Sequence, residues 1–102
     1  MGKIIAGKTS EITPGKMIKI NADGREILIA NIGGNYFACD DSCTHAGASL
    51  SQGVLEGEIV TCGWHGAKFN CVNGKLDKFP AKIKDLKSYH TVIEADNVFV
   101  EF

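Results

Sequence analysis

The sequence lacks the features that mark several large classes of protein. No apolar run approaches the ~20 residues of a membrane-spanning helix, and 11 basic residues nearly balance 12 acidic ones, for a net charge of -1. The strong positive field that favours nucleic-acid binding is therefore missing. No stretch of ten or more residues shows the apolar periodicity of a helix. We expect a single domain over residues 1–102 with neither membrane nor nucleic-acid partners.

The first residues also lack the pattern of an export or lipidation signal. Only Ile4 and Ile5 follow Lys3 before smaller and polar residues resume, which is too short for the apolar segment of a secretory signal. Ala6 occupies the position where N-myristoylation requires serine or threonine. These absences predict a cytoplasmic protein.

Short β-forming segments separated by turn residues make up most of the chain. Strands are predicted at 17–20, 25–32, 35–38, 59–61, 68–70, 75–76, 89–94 and 98–101. Gly33-Gly34 and 72–74 supply turn signals, whereas the small and polar residues of 40–53 indicate a long functional loop. The pattern predicts an all-β fold, a small antiparallel sandwich or barrel.

The chain contains four cysteines, and two of its three histidines lie within three residues of one. Without a secretory signal, the reducing compartment favours metal or redox chemistry over disulfides. The two chemically rich segments are Cys43-Thr44-His45 and Cys62-Gly63-Trp64-His65. Each segment offers one thiolate and one imidazole.

Two kinds of metal site are compatible with this ligand set. A tetrahedral zinc site uses two cysteines and two histidines, but its usual order places a cysteine pair before a histidine pair. The interleaved order here suits a binuclear [2Fe-2S] cluster, in which Cys43 and Cys62 bind one iron while His45 and His65 bind the other. A structural zinc-binding module is the alternative.

The residues around these segments resemble a known family. Residues 43–53 and 62–70 are similar to the two cluster-binding loops of Rieske-type [2Fe-2S] ferredoxins, and 79–81 fall where that family has a third, proline-containing loop. Gly63 is a departure, because many relatives have proline there. The resemblance implies an antiparallel Rieske iron–sulfur domain with one [2Fe-2S] cluster.

The function implied by the resemblance is that of a soluble one-electron carrier with no substrate chemistry of its own. Its partners would be an NAD(P)H-dependent reductase and the terminal oxygenase of a ring-hydroxylating dioxygenase system. The small subunit of an assimilatory nitrite reductase is the alternative within the same family.

The resemblance also implies a low reduction potential. High-potential relatives carry hydroxyl groups two and four residues after the second histidine, where this chain has Ala67 and Phe69. Those relatives also join the two loops by a disulfide, at positions held here by Ala48 and Trp64. These residues indicate the ferredoxin end of the range of roughly −150 to +300 mV that Rieske centres span.

The remaining cysteines and histidine are given structural roles. Cys39 and Cys71 belong to neither ligand segment and are predicted to be small buried side chains. A disulfide between them is also compatible with the sequence, which gives no distance. His90 lies in an alternating strand and is predicted to be an ordinary surface or packing residue.

Two further expectations concern the flanks of the loops. Gly47 and Gly66 lack side chains, which would let their backbone N–H groups approach the sulfides of a cluster. Trp64 and Leu50 are expected to exclude water from it. Asp40 and Asp41 precede the first loop and could face a basic partner.

Overall fold

The computed structural model describes residues 2–22, 24–42, 49–63, 66–78 and 85–101. Within these ranges the chain forms ten strands in two antiparallel sheets and one 3₁₀ turn, Leu50–Gln52. The strands are β1 (Lys3–Lys8), β2 (Met17–Ala22), β3 (Arg25–Ile32), β4 (Asn35–Asp40), β5 (Val54–Glu56), β6 (Ile59–Thr61), β7 (Lys68–Asn70), β8 (Leu76–Lys78), β9 (Ser88–Glu94) and β10 (Asn97–Glu101).

The larger sheet has six strands in the order β1-β10-β9-β4-β3-β2. Strand β3, which lies between β4 and the edge strand β2, has an apolar run at 27–30 rather than an alternating sequence, because both of its faces are covered. Ile27 and Ile29 join one buried cluster with Val98 and Val100 of β10. The neighbouring side chains of β3 point the other way and belong to a second cluster.

The smaller sheet has four strands of three residues each, in the order β5-β6-β7-β8. Alternation along β7 leaves Lys68 and Asn70 half-buried and turns Phe69 fully inward. Phe69 belongs to the second cluster, between the two sheets. The buried members of this cluster are Leu28, Ala30, Cys39, Leu50, Val60, Cys62, Ala67, Phe69, Cys71 and Leu86.

The predicted all-β class and the eight predicted strands are confirmed, three of them with the predicted bounds and the others with ends shifted by one or two residues. Gly33 and Gly34 form the predicted reversal between β3 and β4, with φ of 63° and 93° that favour glycine. Sequence reasoning missed β1 and β5. In the part of the chain that the structure describes, no helix is long and apolar enough to span a membrane.

Candidate metal centre

Cys62 is the one predicted ligand that lies within the described residues. It directly follows β6, its side chain is buried, and its thiol is not part of a disulfide. The other predicted residues of the site fall outside the described ranges: Cys43, His45, Gly47, Ala48, Trp64, His65 and 79–81. The structure therefore informs on the site through Cys62 and through the segments that lead into each loop.

The loop after Cys62 begins and ends at neighbouring positions of the smaller sheet. The backbone N–H of Cys62 donates to the carbonyl of Ala67 at 2.8 Å, and the N–H of Gly66 donates to the carbonyl of Cys62 at 3.1 Å. These bonds close the end of the β6–β7 hairpin, so Cys62 is fixed where the loop begins. A ligand at this position is held by the sheet rather than by a free loop.

The role predicted for Gly66 is wrong in its mechanism. Its N–H is already donated to Cys62, so it is not free to approach a sulfide. The glycine is explained by its φ of 74°, a conformation that side chains with a Cβ rarely adopt. Turn geometry, not access to the cluster, accounts for the residue.

Asp41 closes the two ends of the first loop, a role that sequence reasoning missed. Its carboxylate accepts hydrogen bonds from the Ser49 hydroxyl at 2.5 Å and from the backbone N–H of Ser51 at 2.8 Å. Its carbonyl accepts from the N–H of Leu50 at 2.7 Å, and Ser42 forms an antiparallel bridge with Ser49. Residues 42 and 49 are thereby held side by side at the base of the loop.

The expectation that Asp40 and Asp41 face a partner is not met for Asp41. Its side chain is fully buried, and the hydrogen bonds it accepts offset the cost of taking the carboxylate out of water. Asp40 accepts from the Tyr89 hydroxyl at 2.7 Å and from the N–H of Lys87 at 3.2 Å. Both carboxylates thus bind the protein's own backbone and side chains. The only sequence feature that pointed to these two residues was their position just before Cys43.

The end of the first loop is joined to the strand that carries Cys62. Gly53 follows the 3₁₀ turn, and a Cβ added there would lie 2.0 Å from the carbonyl oxygen of Thr61. Val54 then pairs with Thr61 in the sheet. The exit of the first loop and the entry to the second are therefore neighbours, with Leu50 anchored in the core beneath them.

A third connection, 79–84, is also held at its base. The N–H of Leu86 donates to the carbonyl of Gly74 at 2.6 Å, and the N–H of Leu76 donates to the carboxylate of Asp85 at 2.7 Å. A Cβ on Gly74 would lie 2.2 Å from the Leu86 carbonyl oxygen. Three connections therefore have fixed bases in the described part of the fold.

Cys62, the one predicted ligand among the described residues, has surroundings that suit an iron–sulfur cluster. Among the described residues, no group of three or more His, Cys, Asp or Glu side chains could hold a metal ion by itself. Cys62 instead offers one buried thiol beside the buried, apolar Ala67 and Phe69. A thiolate in apolar, dry surroundings suits an iron–sulfur cluster, whose potential depends on burial and on hydrogen bonds to its sulfurs.

The sequence profile of the Rieske [2Fe-2S] domain matches residues 2–90. The chain belongs to the Rieske [2Fe-2S] family. Membership implies a Rieske [2Fe-2S] cluster, which confirms the predicted cofactor.

Two ferredoxins of this family resemble the chain over most of both lengths. The ferredoxin component of biphenyl 2,3-dioxygenase from Rhodococcus jostii (strain RHA1) is 37% identical over 93 residues, which are 91% of this chain and 86% of that protein. The biphenyl dioxygenase ferredoxin subunit of Pseudomonas sp. (strain KKS102) is 38% identical over 98 residues, 95% of this chain and 89% of that subunit. Both relatives are named as the ferredoxin of a dioxygenase.

The fold agrees with a solved ferredoxin of the family. In the complex of reduced oxygenase and oxidized ferredoxin of carbazole 1,9a-dioxygenase, a chain superimposes with a TM-score of 0.90 at 28% identity. The match covers 96% of this chain and 91% of that one. The predicted Rieske ferredoxin fold is therefore confirmed.

The structural roles predicted for the residues outside the ligand segments are confirmed. Cys39 and Cys71 are both fully buried in the core between the sheets. His90 lies on β9 with a side chain 78% exposed, and its Nε2 is 3.9 Å from a carboxylate oxygen of Glu101. None of the three is needed to explain the cluster loops.

Proposed function

We propose that this protein is the ferredoxin of a ring-hydroxylating dioxygenase system, carrying one electron at a time from an NAD(P)H-dependent reductase to a terminal oxygenase. The observation that carries the proposal is its match, over about nine-tenths of each chain, to ferredoxin components of biphenyl dioxygenases. The related ferredoxin of the carbazole system has been solved in complex with its oxygenase.

We propose Cys43 and Cys62 as ligands of one iron, and His45 and His65 as ligands of the other. The burial of Cys62 at the start of its loop supports its assignment. The closed base of the first loop, at Ser42 and Ser49, supports a fixed position for the ligands between them. When bound, a [2Fe-2S] cluster with two imidazole ligands accepts and releases one electron.

The chain's own residues would then supply position and surroundings. The hydrogen bonds at Asp41 and at the end of the β6–β7 hairpin hold the two loops on a common base. Phe69 and Leu50, both fully buried, exclude water beneath the loops. The two positions that carry hydroxyls in high-potential relatives hold the buried, apolar Ala67 and Phe69, which supports the low-potential assignment.

Three further assignments complete the proposal. The sequence contains no glycine-rich nucleotide motif, so hydride transfer from NAD(P)H belongs to a separate reductase. We assign the chain to the cytoplasm, where such a reductase would meet it. Residues 1–102 would form one domain.

Electron delivery tests the proposal directly. The purified reductase and terminal oxygenase of a biphenyl dioxygenase system would be mixed with NADH, biphenyl and this protein. We expect formation of the dihydrodiol only when the holoprotein is present, with the apoprotein as the matched control. Full reduction of this protein by the reductase with no delivery to any ring-hydroxylating oxygenase would contradict the oxygenase as partner.

A further inference from the structure

The two cysteines that the cluster does not use meet between the sheets. Cys39 lies on β4 of the six-stranded sheet, whereas Cys71 directly follows β7 of the four-stranded sheet. Both side chains are fully buried in the same core cluster, and their thiols are hydrogen-bonded to each other. Neither thiol forms a disulfide in this structure.

The two thiols are not equivalent. The hydrogen bond with Cys39 lowers the pKa of the Cys71 thiol below the usual value, although burial opposes this effect. The same hydrogen bond, followed by burial, raises the pKa of Cys39. A thiol that receives a hydrogen bond from a neighbouring thiol has more thiolate character, and the thiolate is the nucleophile.

A surface cleft lies beside the pair. Its lining comes from β4, from β9 and from Val72, the exposed residue that follows Cys71. Ser88 also lines the cleft, and it is the residue that pairs with Cys39 in the sheet. Cys71 is therefore followed directly by one residue of this cleft, and Cys39 is paired with another.

We propose that Cys39 and Cys71 form a peroxide-oxidisable dithiol that closes reversibly into a disulfide across the two sheets. The Cys71 thiolate attacks one oxygen of hydrogen peroxide, the O–O bond breaks, and hydroxide leaves to give a sulfenic acid on Cys71. The Cys39 thiol then attacks the Cys71 sulfur and the S–O bond breaks. The sulfenic hydroxyl leaves as water together with the proton of Cys39. Overall, two thiols and one peroxide give one disulfide and two waters, and a dithiol reductant reverses the change.

A disulfide between Cys39 and Cys71 would also affect the chain segment that binds the cluster. Residues 39–71 contain all four proposed iron ligands, so the disulfide would close the chain segment that holds them. Cross-linking this segment constrains the unfolded chain and favours the folded apoprotein. This consequence rests on the proposed function, whereas formation of the disulfide does not.

The experiment titrates the holoprotein with hydrogen peroxide while its visible spectrum is recorded. Each sample is then alkylated under denaturing conditions and digested for mass spectrometry. We expect a cross-linked peptide joining Cys39 to Cys71 at peroxide concentrations that leave the spectrum intact, with full recovery of both thiols after dithiothreitol. The oxidised apoprotein should unfold at a Tm higher by about 5 °C or more than the reduced apoprotein.

Single variants test the direction of the reaction. In the C39S protein, dimedone should label Cys71, whereas in the C71S protein it should leave Cys39 unlabelled. Bleaching of the cluster while both cysteines stay reduced would overturn the proposal, and so would dimedone labelling of Cys39 in C71S. The spectrum of untreated protein reports on the proposed function separately, because a protein without a cluster can still form the cross-link.

Discussion

The two sheets of this protein are stabilised in different ways. In the six-stranded sheet, β3 pairs with β2 and with β4 through six residue pairs each. In the four-stranded sheet, β6 pairs with β5 and with β7 through only three. The long pairings repeat the same backbone bonds and apolar contacts many times, so the β2–β3–β4 part of the larger sheet depends little on any one residue pair.

The smaller sheet depends on single side chains that hold the backbone between its strands. The Asn70 side chain accepts from the N–H of Val72 at 2.8 Å, and the Asn73 side chain accepts from the N–H of Lys75 at 2.9 Å. Asp41 performs the same task at the base of the first loop. The smaller sheet and the base of the first loop, which position the proposed ligands, therefore have few other contacts that could replace one that is lost.

The largest effect on stability should come from Gly53→Ala. Its Cβ would lie 2.0 Å from the backbone oxygen of Thr61, whereas a Cβ at Gly63 would meet nothing within 4 Å in the described structure. We expect Gly53→Ala to cost about 3 kcal/mol or more and Gly63→Ala less than about 1 kcal/mol. Urea unfolding of both variants checks this, and equal midpoints would show that the β5–β6 junction is not tight.

Removal of the Asp41 carboxylate should have the next largest effect. Asp41→Ala leaves the Ser49 hydroxyl and the Ser51 N–H without their buried partner, at a cost of about 2–3 kcal/mol. Asp77→Ala, at an exposed position on β8, should cost less than about 0.5 kcal/mol. The free energies of unfolding decide between them. If Asp41→Ala is as mild as the control, the first loop is not closed by this residue.

The double change of Cys39 and Cys71 to serine should have a smaller effect. We expect an unchanged visible spectrum because neither residue is a proposed ligand, with a loss of about 1–2 kcal/mol from placing hydroxyls in the core. Absorbance and thermal unfolding of the same samples measure both. A colourless double variant would show that the iron ligands have been misassigned.

The last prediction concerns the reduction potential rather than the free energy of unfolding. Ala67→Ser combined with Phe69→Tyr should raise the reduction potential, because hydroxyl donors stabilise the extra negative charge of the reduced cluster. The rise should be on the order of 50 mV for about 1 kcal/mol of difference between redox states. Voltammetry at one pH measures it.

Phe99→Tyr on β10 is the control for this pair, since it adds a hydroxyl in the six-stranded sheet under Lys3. Its potential should equal that of the wild type. An unchanged or lowered potential in the double variant, with the cluster intact, would mean that the side chains at 67 and 69 do not reach the sulfurs.

The sequence predicted most strands of both sheets and missed one in each, β1 in the larger and β5 in the smaller. The strands of the larger sheet carry periodic or continuous apolar residues and Gly33-Gly34, so β2, β3 and β4 were predicted from local pattern. β5 has only three residues, with Val54 exposed at 57%, and forms through its partner strand rather than through its own pattern.

The residues of the site also differ in how well the local sequence predicts them. The ligand segments were recognised because cysteine and histidine chemistry is visible in their spacing. Burial of Asp41 and contact between Cys39 and Cys71 depend on how the two sheets pack, and no local pattern encodes that. The side chains that support a site are therefore harder to predict than its ligands.

The most direct test of the central claim is the metal and sulfide content of the purified protein made with ample iron. We predict two irons and two acid-labile sulfides per chain, as a [2Fe-2S] cluster requires. His45→Ala and His65→Ala should lose both, whereas His90→Ala, at an exposed site on β9, should keep them. Stoichiometric zinc in a colourless protein, or a full cluster in either of the first two variants, would contradict the account.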